Sequence, residues 1–336
     1  MKAMLLRGIS SFAQNPTPLS LVDLPEPVAG DAEVLMRVSA CGVCHTELDE
    51  IEGRVKPHLP IILGHQVVGV IEEGAGKGQR AGAAWIASAC GQCTYCRSGR
   101  ENLCPEFKAT GRDVNGGYAE YMKIRADFVH PIPDSFSDSQ AAPLLCAGAI
   151  GYRALRLSNL QNDRSLGLMG FGGSNHLVLK LTKHKFPNAR VFVFSRNPQE
   201  REFALSLGAA WAGALDEIPP EEMDSIIDTT PAWGADLEAL KRLKPGGRLV
   251  INAIRKEDTD KDAFRTLDYP SQLWMEKELK SVANVTRADV REFLVTAAEA
   301  GIKPEFQEYE LKDANRALLE MKQGKIRGAK VLIIGG

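Results

Sequence analysis

Two rhythms divide this chain. Up to "HPIPDS" (130–135), short alternating apolar runs such as "EVLMRVSACGV" (33–43) stand between frequent glycines and prolines, which predicts an irregular β-rich region. Beyond it the period lengthens. "SLGLMGFGG" (165–173) is an apolar run ending in glycines, followed by the helical "SNHLVLKLTKHKF" (174–186). "RVFVFS" (190–195) then precedes the helical "PQEREFALSLGA" (198–209), and "SIIDTT" (225–230), "ADLEALKRL" (235–243) and "GRLVINA" (247–253) continue the alternation. Strands alternating with helices predict a parallel sheet with crossover helices. Towards the end, "RADVREFLVTAAEAG" (287–301), "EFQEYEL" (305–311), "KDANRALLEMKQG" (312–324) and "AKVLIIG" (329–335) read as helix, strand, helix and strand. No internal repeat or low-complexity segment interrupts the pattern.

A chain of 336 residues is too long for one ordinary core and suits two domains. Its 44% hydrophobic and 25% charged residues are those of a water-soluble globular protein. A net charge of −2 with a pI near 6.3 leaves no electrostatic footprint for nucleic acid. No apolar run approaches the ~18 residues of a membrane span, and "MKAMLLRGIS" is too short and polar for a secretory signal. These features predict a cytoplasmic protein, where disulfides seldom persist. Its seven cysteines then point to metal or catalysis.

Four of them crowd into "CGQCTYCRSGRENLC" (90–104), as Cys90, Cys93, Cys96 and Cys104. Four closely spaced thiolates suit tetrahedral zinc, and an all-cysteine shell leaves no position open for a substrate. The lobe is therefore read as a structural zinc site, with the chemistry elsewhere. A disulfide knot conflicts with the compartment, and a nucleic-acid zinc ribbon needs separated cysteine pairs and a basic surface. Cys41, Cys44 and Cys146 remain, with His65 in "ILGHQ" (62–66). Two thiolates and an imidazole would hold a zinc with an open fourth position, as catalytic sites do. Taken singly, Cys146 is equally a small core residue, His65 a satisfied loop histidine and "CGVC" (41–44) a thioredoxin-like pair. "GFGGSN" (170–175) lies between a predicted strand and a predicted helix. There Gly170, Gly172 and Gly173 would let backbone N–H groups and the helix dipole cradle a pyrophosphate.

In combination, "CGVCHTE" (41–47), "GHQVVG" (64–69), the four-cysteine lobe, "GGYAEY" (116–121), "AAPLLCAGAIGYRAL" (141–155) and "LKPGGRLV" (243–250) resemble the zinc-containing medium-chain alcohol dehydrogenases. The resemblance covers nearly the whole chain. It implies an α/β plus β architecture. A GroES-like catalytic domain (1–145 and 288–336) carries the zinc lobe and is interrupted by a doubly wound Rossmann domain (146–287). It implies two zincs per chain, the catalytic one on Cys44, His65 and Cys146, and it leaves Cys41 as a buried free thiol. Thr46 matches the proton-relay hydroxyl, His45 a pyrophosphate contact, and Glu47 a carboxylate that orients the imidazole of His65. The implied reaction is reversible hydride transfer between a primary or secondary alcohol and a nicotinamide cofactor, giving the aldehyde or ketone. Relatives are homodimers or homotetramers that pair sheet edges, which "SVANV" (281–285) would supply here.

The chain departs from the family pattern at several points. Gln66 stands where relatives carry Glu, which removes a negative charge and predicts easier ionisation of the substrate hydroxyl. Asp49 replaces a His at the end of the proton relay and would receive the proton or leave that step to solvent. Asn175 replaces the third glycine of the dinucleotide motif and is expected to loosen helix-on-strand packing. The segment "GAGKGQRAG" (74–82) is clipped, and "GKIRGAK" (324–330) lacks a family arginine that Arg327 or Lys330 would replace at the pyrophosphate. At the end of the second strand, Ser195, Arg196 and Asn197 stand where an NAD enzyme places a carboxylate, which favours NADP(H) over NAD(H). Leu48 and Trp85 are candidate substrate-pocket walls. Two rival readings remain: a zinc-independent NADPH quinone or enone reductase on the same fold, and a nucleotide-binding regulatory protein without turnover.

Overall fold

A computed structural model describes residues 1–324 and 328–335. They form two compact units, Met1–Ala149 with Val285–Gly336, and Ile150–Asn284. Cys146 therefore lies in the first unit with Cys44 and His65, and not at the start of the second.

The first unit is built on the long strand Glu33–Val43, the centre of a seven-stranded sheet. It pairs antiparallel with Val67–Glu73 on one side, and with Ala329–Ile333 and Tyr121–Arg125 on the other. Val34, Met36, Val38 and Cys41 on this strand are buried with Ile51, Leu63 and Tyr118 in one core. Near-continuous apolar sequence is what a strand covered on both faces requires. The clipped segment 74–82 makes the hairpin between Val67–Glu73 and Arg80–Ala83. The cysteine-rich lobe holds little regular structure, a four-residue helix Thr94–Arg97 and a 3₁₀ turn Glu101–Leu103.

In the second unit six parallel strands lie in the order Trp211–Gly213, Arg190–Phe194, Ser165–Met169, Met223–Asp228, Leu243–Ile251 and Glu278–Ser281. Numbered along the unit this is 3-2-1-4-5-6, the doubly wound arrangement, with its switch point between Ser165–Met169 and Met223–Asp228. Ligands of such sheets bind beyond the carboxyl ends of the strands at that point. The outer strand is Glu278–Ser281, exposed along its length. Only Ser281 of the expected edge "SVANV" belongs to it, because the chain leaves the ladder after pairing Ser281 with Ile251. Charged side chains at such an edge discourage indiscriminate pairing.

Candidate active site

Three donors from distant segments meet in the first unit. Cys44 is the N-cap of the short helix His45–Ile51. His65 follows Gly64, whose φ of +97° few residues with a side chain adopt. A Cβ at Gly64 would also lie 2.4 Å from the Tyr118 ring, so the turn that delivers His65 needs glycine. Cys146 sits on a single π-helical turn, Leu144–Gly148, a local irregularity that helices often use at functional sites. The ligand atoms of Cys44, His65 and Cys146 all lie within 4.8 Å of one another, and His65 Nε2 is 3.3 Å from Cys146 Sγ. The sulfurs of Cys90, Cys93, Cys96 and Cys104 form a second such group, with Cys90 and Cys96 3.9 Å apart. Ligands of a tetrahedral zinc stand roughly 3.5–3.8 Å from each other, so both donor sets have the size and chemistry that zinc takes.

Glu47 serves two of the three donors. Its Oε2 accepts from the Cys44 backbone N–H at 2.7 Å, closing a capping box, while Oε1 lies 2.6 Å from His65 Nδ1. One carboxylate thus fixes the approach of Cys44 and the ring orientation of His65. Trp85 packs edge-on against the same imidazole, with centroids 5.0 Å apart. It is buried there, and Leu48 is buried in the core; neither is an exposed wall. Burial works against an imidazolium at His65, but Glu47 and the Cys44 sulfur outweigh it and push the group well above its usual range. A hydrogen bond from Cys146 pulls the Cys44 thiol well below the ordinary value, and that bond together with burial pushes Cys146 up. In the lobe, backbone N–H groups of Gln92 and Cys93 lower the Cys90 thiol to about 7. Cys41 is a fully buried thiol, raised well above its usual range by desolvation.

The Thr46 hydroxyl is buried 3.6 Å from Cys44 Sγ, whereas His45 beside it is exposed. Gln66 is buried next to His65. Asp49 does not stand ready as a proton acceptor, because its Oδ1 accepts from Arg54 Nε at 2.6 Å in an ion pair. Sequence reasoning missed Glu50. Its carboxylate is fully buried with both oxygens lacking a hydrogen-bond partner among the described residues, and desolvation raises it well above the carboxylate range. The density of carboxylates in "HTELDEI" (45–51) was the available signal.

In the second unit the glycine turn follows Ser165–Met169 and opens the helix Asn175–Lys185. Gly170 has φ +76°, and nothing lies within 4 Å of where a Cβ on Gly172 would project, an open approach for a ligand; Gly173 completes the turn before the helix. Asn175 does the opposite of what its sequence position suggests. Its buried Nδ2 lies 3.1 Å from the Met169 carbonyl, 2.8 Å from that of Gly170 and 3.1 Å from Thr229 Oγ1. The amide replaces the missing glycine by tying the turn to both sides of the switch point. At the neighbouring strand end Ser195 is buried, Arg196 is exposed, and Asn197 caps the helix Pro198–Ser206. Lys330 is not available to a pyrophosphate: it is buried, with Nζ 2.7 Å from Glu320 and in contact with the Tyr309 hydroxyl. Arg327 lies outside the described residues.

Comparison with known proteins places the chain in a family. Residues 30–134 match the alcohol dehydrogenase GroES-like domain. A probable alcohol dehydrogenase, AdhA, of Mycobacterium tuberculosis is 41% identical over 94% of this chain and 93% of its own length. An alcohol dehydrogenase of Geobacillus stearothermophilus is 34% identical over 94% and 95% respectively. The solved structure of a cinnamyl alcohol dehydrogenase from Sorghum bicolor superposes with a TM-score of 0.83 at 27% identity, over 100% of this chain and 98% of that one. Such similarity along both domains defines the class: the chain belongs to the medium-chain alcohol dehydrogenase family. It is an oxidoreductase acting on alcohols. No helix among the described residues is long and apolar enough to cross a membrane.

Proposed function

We propose that the protein is a zinc-dependent alcohol dehydrogenase that interconverts a primary or secondary alcohol with its aldehyde or ketone, using NADP(H) in preference to NAD(H). The observation that carries this reading is the convergence of Cys44, His65 and Cys146, with Glu47 braced against the ring of His65. Zinc held there would supply a Lewis acid for the substrate oxygen, and a nicotinamide would carry the hydride. The chain's own contributions follow from its geometry. Glu47 keeps Nε2 of His65 turned towards the two sulfurs by engaging Nδ1. Thr46 offers a hydroxyl beside Cys44, from which the substrate's proton passes on at Oγ1. With Asp49 bound to Arg54, solvent and not this carboxylate takes the proton from there. The turn of Gly170, Gly172 and Gly173 would cradle the pyrophosphate of the dinucleotide.

The lobe of Cys90, Cys93, Cys96 and Cys104 would hold a second zinc that shapes the chain without meeting substrate. We place the enzyme in the cytoplasm, on the ground that six of its seven cysteines stand in donor groups suited to metal, a use of cysteine favoured where disulfides seldom persist. It assembles as a homodimer or homotetramer through the exposed strand Glu278–Ser281. A panel of alcohols and aldehydes assayed with NADH and NADPH, alongside zinc analysis of the purified protein, tests the reading. Two zincs per chain and turnover lost with Cys146→Ala are expected. Full turnover with metal in the lobe alone would instead select the zinc-independent reductase.

A further inference from the structure

The end of the second strand carries a carboxylate that its local sequence does not show. The N–H of Gly170 donates to the Phe194 carbonyl at 2.8 Å, so Ser195 stands one residue beyond a direct contact with the glycine turn. Asn197 then caps the helix Pro198–Ser206, accepting at Oδ1 from the Gln199 N–H at 3.0 Å. Glu200 lies in the first turn of that helix, and its side chain folds back to the strand end. There Ser195 Oγ donates to Oε2 of Glu200 at 2.5 Å. The same hydroxyl accepts from the Asn197 N–H at 3.1 Å, so its single proton is committed to Glu200. Arg201 arrives at this spot as well, donating from Nη1 to the Ser195 carbonyl at 2.9 Å. Arg196, the next residue after Ser195, is exposed.

A dinucleotide seated on the glycine turn brings its adenosine ribose to the end of this strand, where a carboxylate accepts from a 2′-hydroxyl and an arginine receives a 2′-phosphate. We propose that Glu200 is a specificity-determining residue for the cofactor, opposing Arg196. It favours the unphosphorylated ribose, so the wild-type protein takes both dinucleotides with a modest preference and does not exclude NAD(H). The inference rests on the dinucleotide reading given above. A 2′-phosphate entering beside Arg196 must displace the Glu200 carboxylate from Ser195 or lie against its charge, and either weakens its binding. A 2′-hydroxyl meets no such obstacle.

The test uses two probes that differ in this one group, adenosine 2′,5′-bisphosphate and 5′-AMP, titrated calorimetrically into the wild-type protein, Glu200→Gln and Arg196→Ala. Glu200→Gln is expected to bind the bisphosphate about tenfold more tightly and 5′-AMP within about twofold of wild type. Arg196→Ala is expected to bind the bisphosphate about tenfold more weakly, again with 5′-AMP little changed. The ratio of kcat/KM for NADP⁺ over NAD⁺ should move in the same directions. A residue that only capped the helix would move both probes together, so a bisphosphate-to-AMP ratio unchanged in Glu200→Gln overturns the proposal. Failure of the wild-type protein to bind 5′-AMP and NAD⁺ at all would overturn the dinucleotide reading itself.

Discussion

Glu47 and Asn175 each do with one side chain what two residues would otherwise share. The two oxygens of Glu47 are divided between the Cys44 amide and the His65 ring. Removing the carboxylate frees both donors at once. Glu47→Ala should weaken zinc binding at the three-donor site about 10–100-fold, as loss of an outer carboxylate does elsewhere. Competition of the zinc-loaded protein with a chelator of known affinity measures this, and unaltered competition would sink the idea. Asn175→Gly restores the glycine of the usual dinucleotide motif, so the motif alone predicts a gain in stability. The structure predicts a loss of about 1–3 kcal/mol, because the buried carbonyls of Met169 and Gly170 lose a donor and a helix gains a glycine. Urea unfolding of the two proteins decides between these signs.

Among the elements, those with strong periodicity were legible from the sequence. "EVLMRVSACGV" is the strand Glu33–Val43 residue for residue, and "RVFVFS" differs from Arg190–Phe194 only at its last position. The edge strand was misplaced because Glu278–Ser281 has no apolar alternation; it is held by backbone pairing with Arg248–Ile251. The cysteine lobe is legible for a different reason, since spacing of like ligands is visible without a fold. Its four-residue helix and three-residue 3₁₀ turn are far below the ~12 residues at which isolated helices become stable. The proposed metal would then hold them. Cys93→Ser should leave the three-donor site loaded while amides across 90–104 lose hydrogen-exchange protection by at least about tenfold. Protection equal to wild type would show that packing suffices.

At the scale of the molecule, one buried cluster in the second unit makes stability depend on pH. Lys256 Nζ lies 2.9 Å from Asp236 and also contacts Asp228, with both carboxylates fully buried. One ammonium cannot satisfy two buried anions. Desolvation, then the neighbouring Asp228 charge, raises Asp236 from 3.8 to about 7. The folded state thus binds this proton more tightly than the unfolded chain does. The resulting stabilisation is complete below 3.8 and is lost as pH rises through about 7. Asp236→Asn keeps an uncharged group beside Lys256, so its melting temperature relative to wild type should rise between pH 5.5 and 8.5. A difference that stays constant across this range refutes the assignment.

The sequence by itself determined the two-part architecture, the alternation of the parallel sheet, and the residue types able to hold metal or cradle a pyrophosphate. Those properties are written in spacing along the chain, which folding leaves unchanged. Only the tertiary structure decided which partner each polar side chain takes. It joined Asn175 to Thr229 across 54 residues, and engaged Asp49 with Arg54 and Lys330 with Glu320. It also set Glu200 against Ser195, where the motif shows no acid. A hydrogen bond is chosen by distance and direction among whatever groups burial brings together, and segment order along a chain does not specify those neighbours.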